Sequence, residues 1–503
     1  MSQAWLQAFG MVFEPYNIVV MLGASLFGLF VGAVPGLTAT MATALLVPVT
    51  FFMAPIPAIA AMVTATAMAI FSGDIPGCLL RMPGTPASAA YTDEAYAMTK
   101  KGQAELALGA GLVFSAVGGL FGTAVLMVAA PTLAEVALKF SSFEYFWLVL
   151  MGLTCAVFIS SDRPLKGVVM LLTGLLVASV GLNNPAAFPR FTFGSTELMG
   201  GVGLVPLMIG VFAVSEIIRY VVDTSPTALI AEERIGNVFK GMWGLTRKYP
   251  TQILRGSVLG TVVGALPGAG ADIAAWMSYA MSKKFSKEPE KFGTGHVEGI
   301  VESGAANNSA LAGAWIPALV FGIPGDSITA IVIGVLYMKN MNPGPTLFTN
   351  NPQNIYAVFL LFIVANLIML PLGYLCIKVA KRILRVPRDV LMPVILLFCV
   401  VGAFAINNTA FDIGVMLVAG IVAYVLEDNG FPMAPLVLGV VLGGMLEENL
   451  VSSLIKSDGN LLAFFRRPIA AALAATTLAM WLWAAWGSLK KRPAGGNGLG
   501  SGN

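Results

Sequence analysis

The chain has 503 residues, of which 57% are hydrophobic and only 11% charged, with a net charge of +3 and a mean hydropathy of +0.82. Soluble domains carry roughly 25% charged residues, so most of this chain cannot face water. That excludes a soluble enzyme or a nucleic-acid-binding protein and leaves an all-α polytopic membrane protein.

The first 16 residues contain no Lys or Arg, unlike a cleaved leader, so the first apolar stretch is expected to stay in the protein. Residues 17–52 are apolar but interrupted at Pro35-Gly36. The spacing predicts a hairpin with arms of about 14 to 16 residues, roughly 21 to 24 Å of helix, short of the ~30 Å hydrocarbon core. A second interruption follows at Pro83-Gly84. Apolar runs then cover 104–130, 142–160, 167–182 and 197–218, and a basic connection spans 219–255. Residues 251–281 are again interrupted, at Pro267-Gly268, and a fourth break comes at Pro324-Gly325. Runs at 353–377, 390–406, 412–426 and 467–487 complete the series. The expected organisation is a first transmembrane repeat (12–222), a cytoplasmic connector (223–250), a second repeat (251–456), an extra C-terminal transmembrane helix (457–489) and a disordered Gly-rich tail (490–503).

The two halves carry one pattern. Val31-Gly32-Ala33-Val34-Pro35-Gly36 returns as Val263-Gly264-Ala265-Leu266-Pro267-Gly268, 232 residues on. Ile75-Pro76 through Met82-Pro83-Gly84 returns as Ile316-Pro317 through Ile323-Pro324-Gly325, 241 residues on and without a gap. Val169-Met170-Leu171 with Gly174 resembles Val415-Met416-Leu417 with Gly420, and Pro206 with Gly210 resembles Pro435 with Gly439.

Basic residues cluster at Lys100-Lys101, Arg163 with Lys166, 219–255, Lys283 to Lys291 and Lys378 to Arg388, and placing these in the cytoplasm gives one path through the membrane. On that path 251–281 enters and leaves on one side. The uncharged loop Met53-Ala54-Pro55-Ile56-Pro57 after the first hairpin falls opposite the basic loop Lys283 to Lys287 after the second. The expected fold is two inverted structural repeats, each with a Pro-Gly-broken hairpin, a second broken helix and four plain spans, plus one extra C-terminal helix. The N-terminus is then periplasmic and the C-terminus cytoplasmic. Arg466 and Arg467 oppose this path, which puts them outside.

Each Pro-Gly leaves neighbouring amides and carbonyls without helical partners, at several kcal/mol in lipid unless protein, water or a ligand satisfies them. The helix restarting after each break points free N–H groups at it, which suits a carboxylate. Candidate substrate-binding residues are therefore Pro35, Gly36, Thr38 and Thr40 at the first break, and Pro83, Gly84, Thr85 and Ser88 at the second. Pro267, Gly268 and Gly270 at the third and Pro324, Gly325, Ser327 and Thr329 at the fourth complete the set. Asn307 and Asn308 are adjacent amides in an apolar helix, either ligands for ions and carboxylates or glue between helices. Asp272 and Asp326 are candidates for a coupling cation, Na+ or H+, although Asp326 equally suits a helix cap. Arg81 either meets a substrate carboxylate or pairs with Asp74. One break alone would merely close a tight hairpin; four at matching positions favour a site for a small organic polyanion.

Cys78, Cys155, Cys376 and Cys399 lack CxxC spacing and read as buried thiols, and the lone His296 reads as a loop residue beside Glu298, so no metal site is expected. An intramembrane hydrolase or transferase is the competing enzyme class. HExxH, DDxxD and Tyr-Asp with Gly-x-Gly-Asp patterns are absent, so no catalytic residue is assigned. A passive channel would usually lack the inverted duplication.

Pro35-Gly36-Leu37-Thr38-Ala39-Thr40, Pro83-Gly84-Thr85-Pro86-Ala87-Ser88, Lys101-Gly102-Gln103-Ala104, Pro267-Gly268-Ala269-Gly270, Glu302 with Asn307-Asn308, and Ile323-Pro324-Gly325 together resemble the large membrane subunit of the tripartite tricarboxylate transporter family. The resemblance runs from about residue 12 to 485. It implies a bacterial inner-membrane permease that works with a small membrane subunit and a periplasmic solute-binding protein. It further implies import of a di- or tricarboxylate or related organic anion, driven by a cation gradient and without an organic cofactor. A symporter independent of any binding protein is the alternative. Arg81 and Asp326 depart from the family pattern, which more often has uncharged or small residues there, so citrate is not assumed.

Overall fold

The computed structural model describes residues 2–159, 164–182, 188–222, 236–384 and 388–490. Arg163, residues 223–235 of the expected connector and 491–503 of the expected tail lie outside the described residues. In the first half, α1 (Ser2–Val12) precedes a hairpin of α2 (Pro15–Ala33) and α3 (Ala39–Phe51), and α4 (Pro55–Ser72) continues into α5 (Asp74–Leu80). Beyond the second break come α6 (Pro86–Ala89), α7 (Thr92–Lys100), α8 (Ala104–Ala137), α9 (Ser142–Ile159), α10 (Pro164–Ala178), α11 (Leu204–Ile209) and α12 (Ser215–Val222).

After the short α13 (Met242–Lys248), the same order returns. A hairpin of α14 (Pro250–Gly264) and α15 (Gly270–Phe285) leads to α16 (Val297–Phe321), a break, and α17 (Ser327–Met338). Next are α18 (Pro345–Asn350), α19 (Pro352–Ile383), α20 (Arg388–Asn407), α21 (Ala410–Asp428), α22 (Met433–Lys456) and the extra α23 (Pro468–Lys490). Among the described residues, eight helices are long and apolar enough to cross a membrane. The chain is a multi-pass α-helical membrane protein.

All four Pro-Gly pairs interrupt helices, whereas Pro48, Pro131, Pro317, Pro371 and Pro393 sit inside continuous ones. Proline alone deletes one donor; a residue at positive φ is what turns the chain. Gly36 (φ 88°) and Gly268 (φ 85°) supply it at the hairpin tips. At the other two breaks it comes three residues before the Pro-Gly glycine, from Arg81 (φ 58°) and Gly322 (φ 68°). These two end α5 and α16 with the same cap: Arg81 N–H donates to Gly77 O and Met82 N–H to Pro76 O, while Gly322 N–H donates to Ala318 O and Ile323 N–H to Pro317 O.

Three expectations need correction. The hairpin arms are unequal in the first half, 19 residues against 13, because Pro15 is tolerated at the first helical position and starts α2 early. The run expected to end at 130 continues through Pro131 to Ala137. An unforeseen helix, α1, packs on α19 with Trp5 stacked on Tyr356 at 4.4 Å.

The helices run between two ends of the fold. At one end Lys339 Nζ donates to Phe51 O (2.8 Å), Gly344 N–H to Leu319 O (2.9 Å), and Phe140 stacks on Phe321. At the other, Lys101 Nζ donates to Thr294 O (2.6 Å) and Ser286 Oγ to Glu298 (2.7 Å). Helix α16 starts at the second end and finishes at the first, where α4 begins. The hairpin α2–α3 therefore opens at one end and α14–α15 at the other. Arg467 lies at the first end, ion-paired to Glu144 (2.7 Å) and donating to Lys139 O.

Matching glycines set matching contacts. A Cβ on Gly28 or Gly32 would lie 2.2 or 2.3 Å from the carbonyl oxygens of Ala65 and Ala69. On Gly260 or Gly264 it would lie 2.3 or 2.2 Å from those of Ala306 and Ala310, the same positions one repeat later. The late helices exchange partners between halves: Gly174 of α10 abuts Leu436 and Gly439 of α22, while Gly210 abuts Met416 and Gly420 of α21.

Candidate functional site

The breaks are built as two copies of one device. Gly84 and Gly325 each lie where a Cβ would approach to 2.5 Å of a hairpin carbonyl, that of Gly32 or of Gly264. The restarting helices are then capped identically. Thr85 and Ser88 form a reciprocal capping box, and Asp326 and Thr329, 241 residues on, form another. Thr329 N–H donates to Asp326 Oδ1 at 2.8 Å, so the capping alternative for Asp326 is what its geometry shows. Thr38 caps α3 by accepting from Met41 N–H (3.1 Å), and Thr40 lies in the first turn that follows.

Within the second copy the two breaks are tied together. Gly268 N–H donates to Gly325 O (2.7 Å), tying the second hairpin tip to the fourth break, and Gly270 leaves room for Asp326. From that tip Asp272 lies beside Ala87 of the first half, with Asp326 near enough for their charges to interact. Trp276 Nε1 donates to Pro86 O (3.2 Å) one turn further on. Asp272, Trp276, Pro83, Pro86 and Gly36 are exposed, and Thr38, Thr40, Pro267, Asp326 and Ser327 half-buried. A carboxylate facing lipid is costly, so Asp272 requires water or an ion beside it within the span region. Thr85, Ser88, Gly84, Gly268, Gly270, Pro324, Gly325 and Thr329 are buried, and Pro35 is buried at the first tip.

In repeat register Thr40 corresponds to Asp272 and Thr85 to Asp326. The equivalent places thus carry two hydroxyls in one half and two carboxylates in the other, on the same backbone.

Asn307 and Asn308 lie deeper, in α16. Asn308 Nδ2 donates to Ser115 Oγ (2.7 Å) and Asn307 Nδ2 to Tyr91 Oη (3.3 Å). The Arg81 pairing with Asp74 is overturned. Arg81 bonds Asp93 at 2.9 Å on an exposed rim, because its left-handed backbone turns it away from the buried face of α5, while Asp74 accepts from Tyr91 Oη at 2.6 Å. Exposed pairs of this kind contribute about 0–1 kcal/mol.

Two polar features have no forerunner in the sequence reading. Glu94, fully buried, accepts from Gly295 N–H (2.7 Å), His296 N–H (2.8 Å), Tyr279 Oη (2.8 Å) and Gly293 N–H, which latches α7 to the loop before α16. Glu302, fully buried, forms a bidentate pair with Arg255 (2.6 and 2.5 Å). The glycines spaced around His296 and the Glu302 in an apolar helix were their only visible signals. The four cysteines are buried, and His296 Nε2 lies 3.1 Å from Glu298.

A multi-pass helical membrane protein with paired, broken hairpins has the build of a transport protein. Comparison with known proteins agrees: the model of the tripartite tricarboxylate transporter TctA family matches residues 18–438, and the chain belongs to that family. An uncharacterized 52.8 kDa protein from the TAR-I ttuC' 3' region of Agrobacterium vitis is 35% identical over 465 residues, 92% of each chain. An uncharacterized protein from the TAR-II ttuC' 3' region of the same organism is 37% identical over 214 residues, covering 42% of this chain and 88% of its own. No solved structure matches the chain. Membership makes it a component of a transporter assembled from three parts.

Proposed function

We propose that the chain is the large permease subunit of a binding-protein-dependent, cation-coupled secondary transporter that imports a di- or tricarboxylate or related organic anion across the bacterial inner membrane. It would work with a small membrane subunit and a periplasmic solute-binding protein. The observation that supports this most is the meeting of breaks from both halves, through Trp276 Nε1 of the second hairpin at Pro86 O beside the second break. The hydroxyl-bearing copy, with Thr38, Thr40, Thr85 and Ser88, suits the anion. The carboxylate-bearing copy, with Asp272 and Asp326, suits the driving cation, Na+ or H+.

The proposed organisation keeps the repeats at 12–222 and 251–456, inverted with respect to each other, with α23 added. Supporting inversion, α4 leaves the end of the fold at which α16 arrives. The basic loops at Lys100–Lys101 and Lys283–Lys291 share the end assigned to the cytoplasm. A cysteine at Ala54 should label from the periplasm and one at Lys287 from the cytoplasm, both positions being exposed. Labelling of both from one side would end the inverted arrangement.

The function itself is tested in proteoliposomes holding the permease and its small subunit, with the solute-binding protein and a labelled tricarboxylate outside. Accumulation that requires an inward cation gradient is expected. Flux that only ever follows the substrate gradient would remove the coupled reading, and Pro267→Ala should depress uptake while membrane insertion stays normal.

A further inference from the structure

The helix pair α4–α5 is buried from Ile56 to Leu79, and where α5 begins sits a carboxylate separate from those at the second hairpin tip. Asp74 is 6% exposed; its Oδ1 accepts from Tyr91 Oη, and its Oδ2 has no partner in the protein. Asn307 (1% exposed) and Asn308 (2% exposed) each spend their amide N–H groups, on Tyr91 Oη and on Ser115 Oγ, and each leaves its Oδ1 without a partner. Three buried acceptor oxygens of one carboxylate and two amides therefore have no partner in the protein. Unsatisfied buried oxygens cost about 1–3 kcal/mol each, more for a charged one, so the cluster calls for a positive ligand.

Glycines bring the surrounding backbone close to these oxygens. Gly111 of α8 lies directly against Asp74 Oδ2, where an added Cβ would come to 2.8 Å, and Gly304 of α16 faces Gly111 across the helix interface. Ser115 lies one turn from Gly111, and Asn307 and Asn308 lie one turn from Gly304, so all these groups share two facing stripes. The fold does not demand them. Continuing the repeat register, the places of Asp74, Tyr91, Asn307 and Asn308 are taken in the other half by Trp315, Val332, Thr66 and Ala67, where Thr66 spends its hydroxyl on Met62 O. The charge balance is one carboxylate among neutral oxygens. That suits a monovalent ion with hard-oxygen preference and leaves too little negative charge for a divalent one.

We infer that Asp74, Tyr91, Asn307 and Asn308 form a second cation site, separate from Asp272 and Asp326, that takes a Na+-type monovalent ion at the α5–α8–α16 junction. Its use in transport rests on the coupled reading above; its existence does not.

Equilibrium binding of 22Na+ to the purified full-length chain in detergent reads the site without any transport step. Asp74→Asn should lower saturating Na+ by one equivalent per chain, Gly111→Ala should weaken the same class of sites about tenfold or more, and Asp272→Asn should leave that equivalent in place. Unchanged Na+ stoichiometry in a monodisperse Asp74→Asn protein overturns the site. If that variant does not purify, Gly111→Ala decides, since it leaves every charge intact: undiminished binding overturns the proposal and loss supports it. An Asp74-dependent equivalent in a protein whose proteoliposomes show no gradient-driven uptake would keep the site and remove the transport reading.

Discussion

Asp272→Asn is expected to abolish accumulation while leaving downhill exchange of substrate. Asparagine matches aspartate in shape and Trp276 Nε1 still donates to Pro86 O, so the contact between α15 and α6 survives and only the charge is lost. One elementary charge moved across 100 mV supplies about 2.3 kcal/mol, or about 50-fold in steady-state accumulation. A variant that concentrates substrate as strongly as wild type under the same potential would exclude Asp272 from coupling. Asp326→Asn is the useful companion, because asparagine caps helices as well as aspartate does, and any change in ion dependence then reports the charge and not the cap.

The second large effect is structural. Arg255 and Glu302 join α14 to α16, and Ser278 Oγ of α15 donates to Glu302 O (3.1 Å), so three helices of the second half converge on this pair. Breaking a buried ion pair costs about 3–5 kcal/mol because the surviving charge is stranded. The two single truncations should differ in size. Arg255 is 26% exposed and can regain water when Glu302 is removed, whereas Glu302 is 0% exposed and cannot when Arg255 is removed. Arg255→Ala should therefore lower the thermal stability of the detergent-solubilised protein more than Glu302→Ala, with Glu302→Gln mildest. Equal small losses in all three would show that the pair is solvated and the second hairpin is held by its glycines alone.

Much of this architecture is written locally. Composition and the length of apolar runs mark the spans, and Pro-Gly marks the breaks because a missing donor beside a positive-φ residue leaves a helix no way to continue. Pro131 and Pro317 show the limit of that grammar, since a proline not followed by glycine stays inside its helix. Side-chain partnerships were less legible. Asp74 and Arg81 are seven residues apart, and their pairing looked natural until the left-handed backbone at Arg81 pointed it towards Asp93 on α7. The Glu94 latch joins residues about 200 positions apart, for which neither spacing nor period carries a signal. The correspondence of Thr85 with Asp326 is present in the 241-residue register, but its meaning depends on seeing both residues perform the same capping task.

The partner exchange among the late helices bears on how this polypeptide is made. When a ribosome has finished α10, the surface around Gly174 that α22 will cover has no occupant, and α8 still awaits α16. The first half must therefore wait in the bilayer, its small-residue seams open to lipid or to an insertase, until more than two hundred further residues have emerged. The seams of the first half are accordingly closed only late in synthesis, and agents that retain half-made membrane chains should govern its yield more than the rate of synthesis does.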